Sequence, residues 1–217
     1  MNHRKQIAVL GATGSIGKST LSIIRQHPDR FQVASLTCRN SIEKLCSLIQ
    51  EFQPRLVSVQ SATEARHIRE AFPNLETLFG SEGLTRTAED GSTDLVVAGI
   101  VGAAGLYPAY AAISAGKHVA LANKEPLVLA GRLFMKEATR TGAKVLPADS
   151  EHNAIHQCLH GRAVRDVKRL ILTASGGPFR DWSVDKLRGV RPDEALNHPT
   201  WNMGPKITVD SSTLMNK

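Results

Sequence analysis

The chain has 217 residues, 41% of them hydrophobic, enough to bury one sizeable core and part of a second. Twenty-seven Lys and Arg against 20 Asp and Glu leave a net charge of +7, which suits anionic partners such as nucleic acid or small phosphorylated molecules, or else a plain solvated basic surface. No apolar run approaches the roughly 20 residues of a membrane span, no secretory leader is recognisable, and three cysteines without CxxC spacing (Cys38, Cys46, Cys158) argue against a disulfide framework or a cysteine zinc site. An unexported, cytoplasmic protein without membrane association is therefore expected.

In chain order, apolar strand-like runs alternate with helical patterns. Ile7–Leu10 precedes a helix over 15–26, Gln32–Leu36 one over 42–51, and Leu56–Val59 one over 62–72. Leu95–Ala98 is then followed by a helix over 107–115, Val119–Ala122 by one over 127–141, and Lys144–Pro147 by one over 151–159. Ser61 and Glu64 have capping-box spacing, and Gly116 and Gly142 stand where helices should stop. Wholly apolar strands separated by helices predict a parallel sheet covered on both faces, hence a doubly wound, Rossmann-like α/β domain over 1–148. Beyond it come a basic connection, Gly161–Arg169, a predicted strand Leu170–Thr173, and a Gly-, Pro- and Trp-rich region, read as an incomplete α/β catalytic domain over 149–217.

Gly11, Gly14 and Gly17 lie between the first strand and the first helix, where a dinucleotide fingerprint belongs. Glycines permit a tight turn and close backbone approach, and a helix N-terminus presents N–H groups to a pyrophosphate. The spacing is GxxGxxG rather than GxGxxG, which weakens an NAD reading but keeps a phosphate-binding one. After the second strand stands Thr37-Cys38-Arg39-Asn40-Ser41 in place of an acid; Arg39 suits a 2′-phosphate, so NADPH is favoured over NADH. A glycine-rich turn without a ligand is the plainer alternative.

Asp149 and Glu151 follow the Lys144–Pro147 strand. With an extended backbone they would share a face, and hard cations such as Mg²⁺ or Mn²⁺ favour such oxygen ligands. Two acids at a helix N-terminus, favoured by its dipole, is the plainer explanation of a lone D-x-E. His152 and His156 have i,i+4 spacing that can chelate zinc, but Asn153 stands where a metalloprotease would carry its general base.

Taken jointly, GATGSIG (11–17), GIVGAAGL (99–106), LANKE (121–125), DSEHNAI (149–155), SGGPFR (175–180), HPTWNMG (198–204) and VDSSTLMNK (209–217) resemble the 1-deoxy-D-xylulose-5-phosphate reductoisomerase family from end to end of the chain. The resemblance implies NADPH- and metal-dependent conversion of 1-deoxy-D-xylulose 5-phosphate to 2-C-methyl-D-erythritol 4-phosphate in non-mevalonate isoprenoid biosynthesis, a skeletal rearrangement followed by reduction. The cation, Mg²⁺ or Mn²⁺ with Co²⁺ as a further candidate, would act as Lewis acid and template. By the same resemblance Asp149 and Glu151 are metal ligands, and Lys124, Glu151 and His198 carry catalysis. Ser150, Ser175, His198, Trp201, Ser211, Asn216 and Lys217 would hold the substrate, a small phosphorylated sugar. Thr13, Gly14, Ser15, Ile16, Arg39, Asn123, Glu125, Met203 and Gly204 would meet the cofactor. The full-length protein is expected to be a homodimer, with no nucleic-acid role.

Four positions depart from the family pattern: Arg39 for a usual glycine, Pro126 for serine, Pro205 for a residue that is often basic, and His156 for an aromatic. The family motif runs on past MNK to a glutamate that supplies a third metal carboxylate, so weak or no turnover is expected of these 217 residues alone. Two rivals stay open on sequence, a non-catalytic NADPH-binding fragment and a related reductase with another substrate. Nucleic-acid binding through Arg162–Arg169 lacks interleaved aromatics.

Overall fold

The computed structural model describes residues 4–202 and 204–213. Its contacts divide into two compact units, Met1–Asp149 and Ser150–Lys217. In the first, strands and helices alternate: β1 (Lys5–Leu10), α1 (Ser15–Gln26), β2 (Phe31–Thr37), α2 (Ile42–Phe52), β3 (Leu56–Val59), α3 (Ala62–Ala71), β4 (Glu76–Phe79) and α4 (Gly80–Glu89). They continue through β5 (Leu95–Ala98), a short 3-10 turn (Gly102–Gly105), α5 (Leu106–Ser114), β6 (His118–Leu121), α6 (Glu125–Thr141) and β7 (Val145–Pro147).

All seven strands are parallel, in the order β4-β3-β2-β1-β5-β6-β7. Side chains of a strand alternate between faces, and β1 shows the result. Ile7 and Val9 join Leu21 and Ile24 of α1, Leu45 and Ile49 of α2, and Ile68 of α3. Ala8 and Leu10 join Ala109 and Ile113 of α5 with Phe134 and Ala138 of α6 on the other face. The doubly wound α/β architecture expected from the alternation is thus present. The chain runs outward from β1 in one direction and restarts at β5 on its other side, so the carboxyl ends of β1 and β5 flank a topological switch point.

Local signals act as their chemistry requires. Ser61 accepts a hydrogen bond from the Glu64 N–H while Glu64 answers to the Ser61 N–H. Gly116 and Gly142 take φ of +74° and +75° just past α5 and α6, a left-handed conformation that glycine adopts without steric cost. The structure adds β4 and α4, which the sequence alternation passes over. Glu76-Thr77-Leu78-Phe79 is a short, half-polar edge strand, and Gly83 interrupts the helical pattern of α4 for a packing reason: a Cβ there would come within 2.8 Å of Leu78 Cβ.

The second unit holds α7 (Ser150–Leu159), 3-10 turns at Val164–Asp166 and Gly177–Phe179, and the short helices α8 (Val184–Leu187), α9 (Pro192–Ala195) and α10 (Pro205–Ser211). Two expectations fail here. Leu170–Thr173 forms no strand; among the described residues no ladder partner lies beside it, and Leu170 and Ile171 are 60% and 65% exposed. A run of apolar residues becomes a strand only when a neighbour takes up its backbone hydrogen bonds. Nor is the backbone extended through 149–151, because α7 begins at Ser150, which removes the shared-face argument. Among the described residues, every buried apolar side chain precedes residue 144, and the second unit packs instead through half-buried and exposed rings, such as Phe179 on Trp182 at 5.0 Å, and through polar contacts.

Candidate functional site

The first helix opens without a side-chain cap: Gly14 occupies the N-cap and no acid lies in the first turn, so the N–H groups of Ser15, Ile16 and Gly17 face the turn unopposed by negative charge. The turn itself is clamped to the end of β2. Gly11 N–H donates to Thr37 Oγ1 at 2.9 Å, and Ala12 N–H to the Thr37 carbonyl at 2.8 Å. Gly11 adopts φ +82°, and a Cβ at Gly17 would collide with the Ala12 carbonyl oxygen. Two of the three glycines are therefore required by geometry, one by its backbone angle and one by close approach.

This turn forms one wall of a cleft of about 490 Å³ at the switch point, lined by Gly11, Thr13, Gly14, Cys38, Arg39 and Gly99 among others. Cys38, only 6% exposed, ties two parts of the wall together: its Sγ lies 3.4 Å from Thr13 Oγ1 and accepts from Ser41 N–H at 3.3 Å. The opposite wall is the stretch after β5. Asn123, after β6, donates its amide to the carbonyls of Ile100 and Gly102 at 2.7 and 3.2 Å and so holds that stretch over the cleft. Thr37 and Asn123 are structural supports of this kind. Asn123 was expected on the cofactor side, whereas Thr37 was passed over; a threonine closing an apolar strand beside a glycine turn is the signal that could have found it. Ser58 and Gln60, at the end of β3, also line the cleft, and no motif in the sequence marks them.

Lys124 and Glu125 open α6, with Pro126 buried in its first turn, a position where proline's missing N–H costs nothing. Lys124 Nζ bonds Asp149 Oδ2 at 2.6 Å, and the two side chains are 12% and 18% exposed. Both groups stand at the carboxyl ends of the paired strands β6 and β7. An ammonium and a carboxylate so close and so little exposed attract each other far more strongly than a surface pair.

In the second unit, the Ser150 hydroxyl donates to Glu151 Oε2 at 3.1 Å in the first turn of α7. The Ser175-Gly176-Gly177 turn organises much of the rest. Gly176 and Gly177 have φ of +78° and +66°, and a Cβ on Gly177 would sit 2.5 Å from Ser212 N, so the glycine admits the end of α10. His198 packs on this turn with Nε2 3.2 Å from Ser175 Oγ, and Trp201 stacks on the imidazole at 5.1 Å between centroids. Ser211 is buried and its hydroxyl donates back to the Thr208 carbonyl at 2.6 Å. Gly204 and Pro205 start α10. Ser175, His198 and Trp201 are thus brought together; Met203, Asn216 and Lys217 lie outside the described residues. Among those residues no group of three or more His, Cys, Asp or Glu is arranged to hold a metal ion, and His152 and His156 belong to no such group.

A dinucleotide-type cleft, a Lys–Asp pair at the sheet edge and a serine–histidine turn meet comparisons that point one way. The family model of 1-deoxy-D-xylulose 5-phosphate reductoisomerase matches residues 7–131, and that of its C-terminal domain matches residues 145–217. The chain belongs to the 1-deoxy-D-xylulose 5-phosphate reductoisomerase family. It is 53% identical over 215 residues to the reductoisomerase of Geobacter metallireducens, covering 98% of this chain and 56% of that one. The Crocosphaera subtropica enzyme is 48% identical over 217 residues, covering 98% and 54%. A crystal structure of DOX-P reductoisomerase in complex with NADPH, fosmidomycin and magnesium superposes with a TM-score of 0.89 at 47% identity, over 98% of this chain and 55% of that one. The Zymomonas mobilis reductoisomerase in complex with NADPH gives 0.86 at 40% identity, over 99% and 55%. The chain therefore spans little more than half the length of the reductoisomerases it matches.

Proposed function

We propose that the protein to which this chain belongs converts 1-deoxy-D-xylulose 5-phosphate to 2-C-methyl-D-erythritol 4-phosphate, using NADPH and a divalent cation. The observation that carries this reading is the glycine-walled cleft at the β1/β5 switch point, in a chain whose solved relatives include one with NADPH and magnesium. The cleft suits a dinucleotide: an uncapped helix N-terminus, the Gly11 and Gly14 turn that lines the wall and the Arg39 guanidinium offer backbone N–H groups and positive charge to phosphates. Residues 1–148 would be the NADPH domain, with Thr13, Gly14, Ser15, Ile16, Arg39, Asn123, Glu125, Met203 and Gly204 on the cofactor side. Residues 149–217 would carry part of the catalytic domain.

Asp149 and Glu151 supply hard oxygen donors, and Mg²⁺ is commonly held by one or two carboxylates with its remaining positions filled by water and substrate oxygens. The donor chemistry fits Mg²⁺ or Mn²⁺. When bound, NADPH supplies hydride and the cation supplies a Lewis acid. Lys124, next to Asp149, would offset negative charge that develops on substrate oxygen. Ser150 would touch the substrate, and Ser175, Ser211, Asn216 and Lys217 would hold its phosphate. His198 and Trp201 would border the same pocket, the indole excluding water from the carbon chain. A homodimer in the cytoplasm completes the proposal; the cysteines, all three free of disulfides, accord with a reducing compartment. No helix among the described residues is long and apolar enough to cross a membrane.

NADPH titration by calorimetry tests the cleft directly: binding to wild type with weaker binding of NADH and of an Arg39→Glu variant is expected. Equal affinity for NADH and NADPH would overturn the cofactor assignment. Oxidation of NADPH that depends on 1-deoxy-D-xylulose 5-phosphate and is abolished by a chelator tests the reaction itself.

A further inference from the structure

Histidines recur at four-residue intervals along α7 and the turn that ends it, at His152, His156 and His160. Residues four apart lie one above the other on a helix face, with Cβ atoms about 6 Å apart. The structure realises the second step of this ladder as a ring pair. The imidazoles of His156 and His160 stand edge to face with centroids 6.5 Å apart, and both residues are exposed. His160 lies one residue past the last helical position, and its N–H bonds the Gln157 carbonyl at 3.2 Å, which keeps it on the face of His156. His156 is also one of the positions at which the chain departs from the family pattern, where an aromatic is usual. Whatever this pair does therefore belongs to this chain and is independent of the proposed reaction.

We propose that His156 and His160 form a second metal site, made of two imidazoles and completed by water, that takes Zn²⁺, Ni²⁺ or Cu²⁺. Imidazole nitrogen suits these ions, whereas Mg²⁺ prefers carboxylate and water oxygens, so the site is chemically distinct from the carboxylates read as Mg²⁺ ligands. Around a tetrahedral ion with metal–nitrogen bonds of about 2 Å, two coordinated rings have centroids roughly 5 Å apart, about 1.5 Å closer than the rings stand here. Rotation about the side-chain torsions of two exposed residues closes that gap without moving the helix. Two protein ligands make an open site, in keeping with the lack of any group of three or more among the described residues. A metal bridging residues four apart also pins the last turn of α7, the helix whose first turn presents Glu151. Affinity should follow the usual order for nitrogen sites, Cu²⁺ above Ni²⁺ and Zn²⁺.

Calorimetric titration of the chain with Zn²⁺ in excess Mg²⁺ tests the site. Wild type should bind, His156→Phe and His160→Gln should each raise the Kd about tenfold or more, and His152→Gln should stay within about a factor of two. Electron paramagnetic resonance with one equivalent of Cu²⁺ reads the donors themselves. Nitrogen hyperfine structure from two imidazoles is expected in wild type and in His152→Gln, and from fewer in the other two variants. No Zn²⁺ binding by wild type would overturn the proposal. So would a Zn²⁺ response that neither His156→Phe nor His160→Gln weakens, which would place the ion on carboxylates. A loss in His152→Gln as large as that in His160→Gln would overturn the placement at the end of α7.

Discussion

Lys124 Nζ and Asp149 Oδ2 are 2.6 Å apart at the carboxyl ends of neighbouring parallel strands, the Asp149 side chain 18% exposed and the Lys124 side chain 12%. If Asp149 is a metal ligand, this ammonium competes with the cation for the same carboxylate. Replacing Lys124 by Met should therefore tighten Mg²⁺ binding roughly three- to tenfold, as removal of a neighbouring like charge requires, while activity falls. The same change removes one partner of a largely buried pair, at a cost of about 3–5 kcal/mol in stability. Calorimetry with Mg²⁺ and urea unfolding of the same variant separate the two effects. Weaker Mg²⁺ binding in Lys124→Met would mean that the lysine supports the metal site instead of competing with it.

Thr37 anchors the glycine turn from a neighbouring strand. Thr37→Val keeps the shape but takes the acceptor from Gly11 N–H. Leaving that donor unsatisfied should cost about 1–3 kcal/mol, with NADPH affinity reduced roughly tenfold as the turn loosens. Thr37→Ser keeps the oxygen and should stay within a factor of about two of wild type in NADPH titrations.

Much of this arrangement was readable from residues alone. The helix at 15–26 and the strands at 56–59 and 95–98 lie where hydrophobic periodicity put them, because each buries its apolar face against a partner inside the same doubly wound unit. β4 and α4 escaped because their sequence answers to packing: Gly83 looks like a helix breaker, yet it lets the helix approach Leu78. The error at Leu170–Thr173 has the opposite cause, since apolar character was present without the neighbour that turns it into a ladder. In the second unit, motif spacing singles out Ser175 and His198, but their contact with each other and with the Thr200, Trp201 and Gly177 backbone N–H groups is one that no side-chain pattern reveals.

Two glycines inside helices should respond to alanine with opposite signs. Gly131 in α6 has only the Leu127 Cβ nearby, at 3.8 Å, an ordinary contact. It directly follows a break in the helix at Ala130 (φ −144°, ψ 25°), so Gly131→Ala should stabilise the protein by about 0.4–1 kcal/mol mainly by narrowing the unfolded ensemble. Gly17→Ala places a methyl against the Ala12 carbonyl oxygen and should either prevent folding of the first unit or abolish NADPH binding. Thermal unfolding of both variants together with NADPH titration checks the contrast, and a Gly17→Ala protein that binds NADPH normally would show that the cradle can yield.

Acid sensitivity of the first unit should be traceable in part to Asp90. Burial raises its carboxyl, but the Arg55 guanidinium, the Ser92 hydroxyl and the Lys117 ammonium together outweigh burial and hold it below the ordinary aspartate range. Its side chain is 14% exposed. Because the folded state binds the proton less readily than the unfolded chain, the stabilisation is complete above the unfolded value of about 4. It is lost as pH falls through the lower folded value. Urea midpoints of wild type should therefore drop from about pH 5 downward more steeply than those of Asp90→Asn, which lacks the titrating group and starts from a lower stability at neutral pH. Parallel pH profiles for the two proteins would show that other carboxylates carry the acid response.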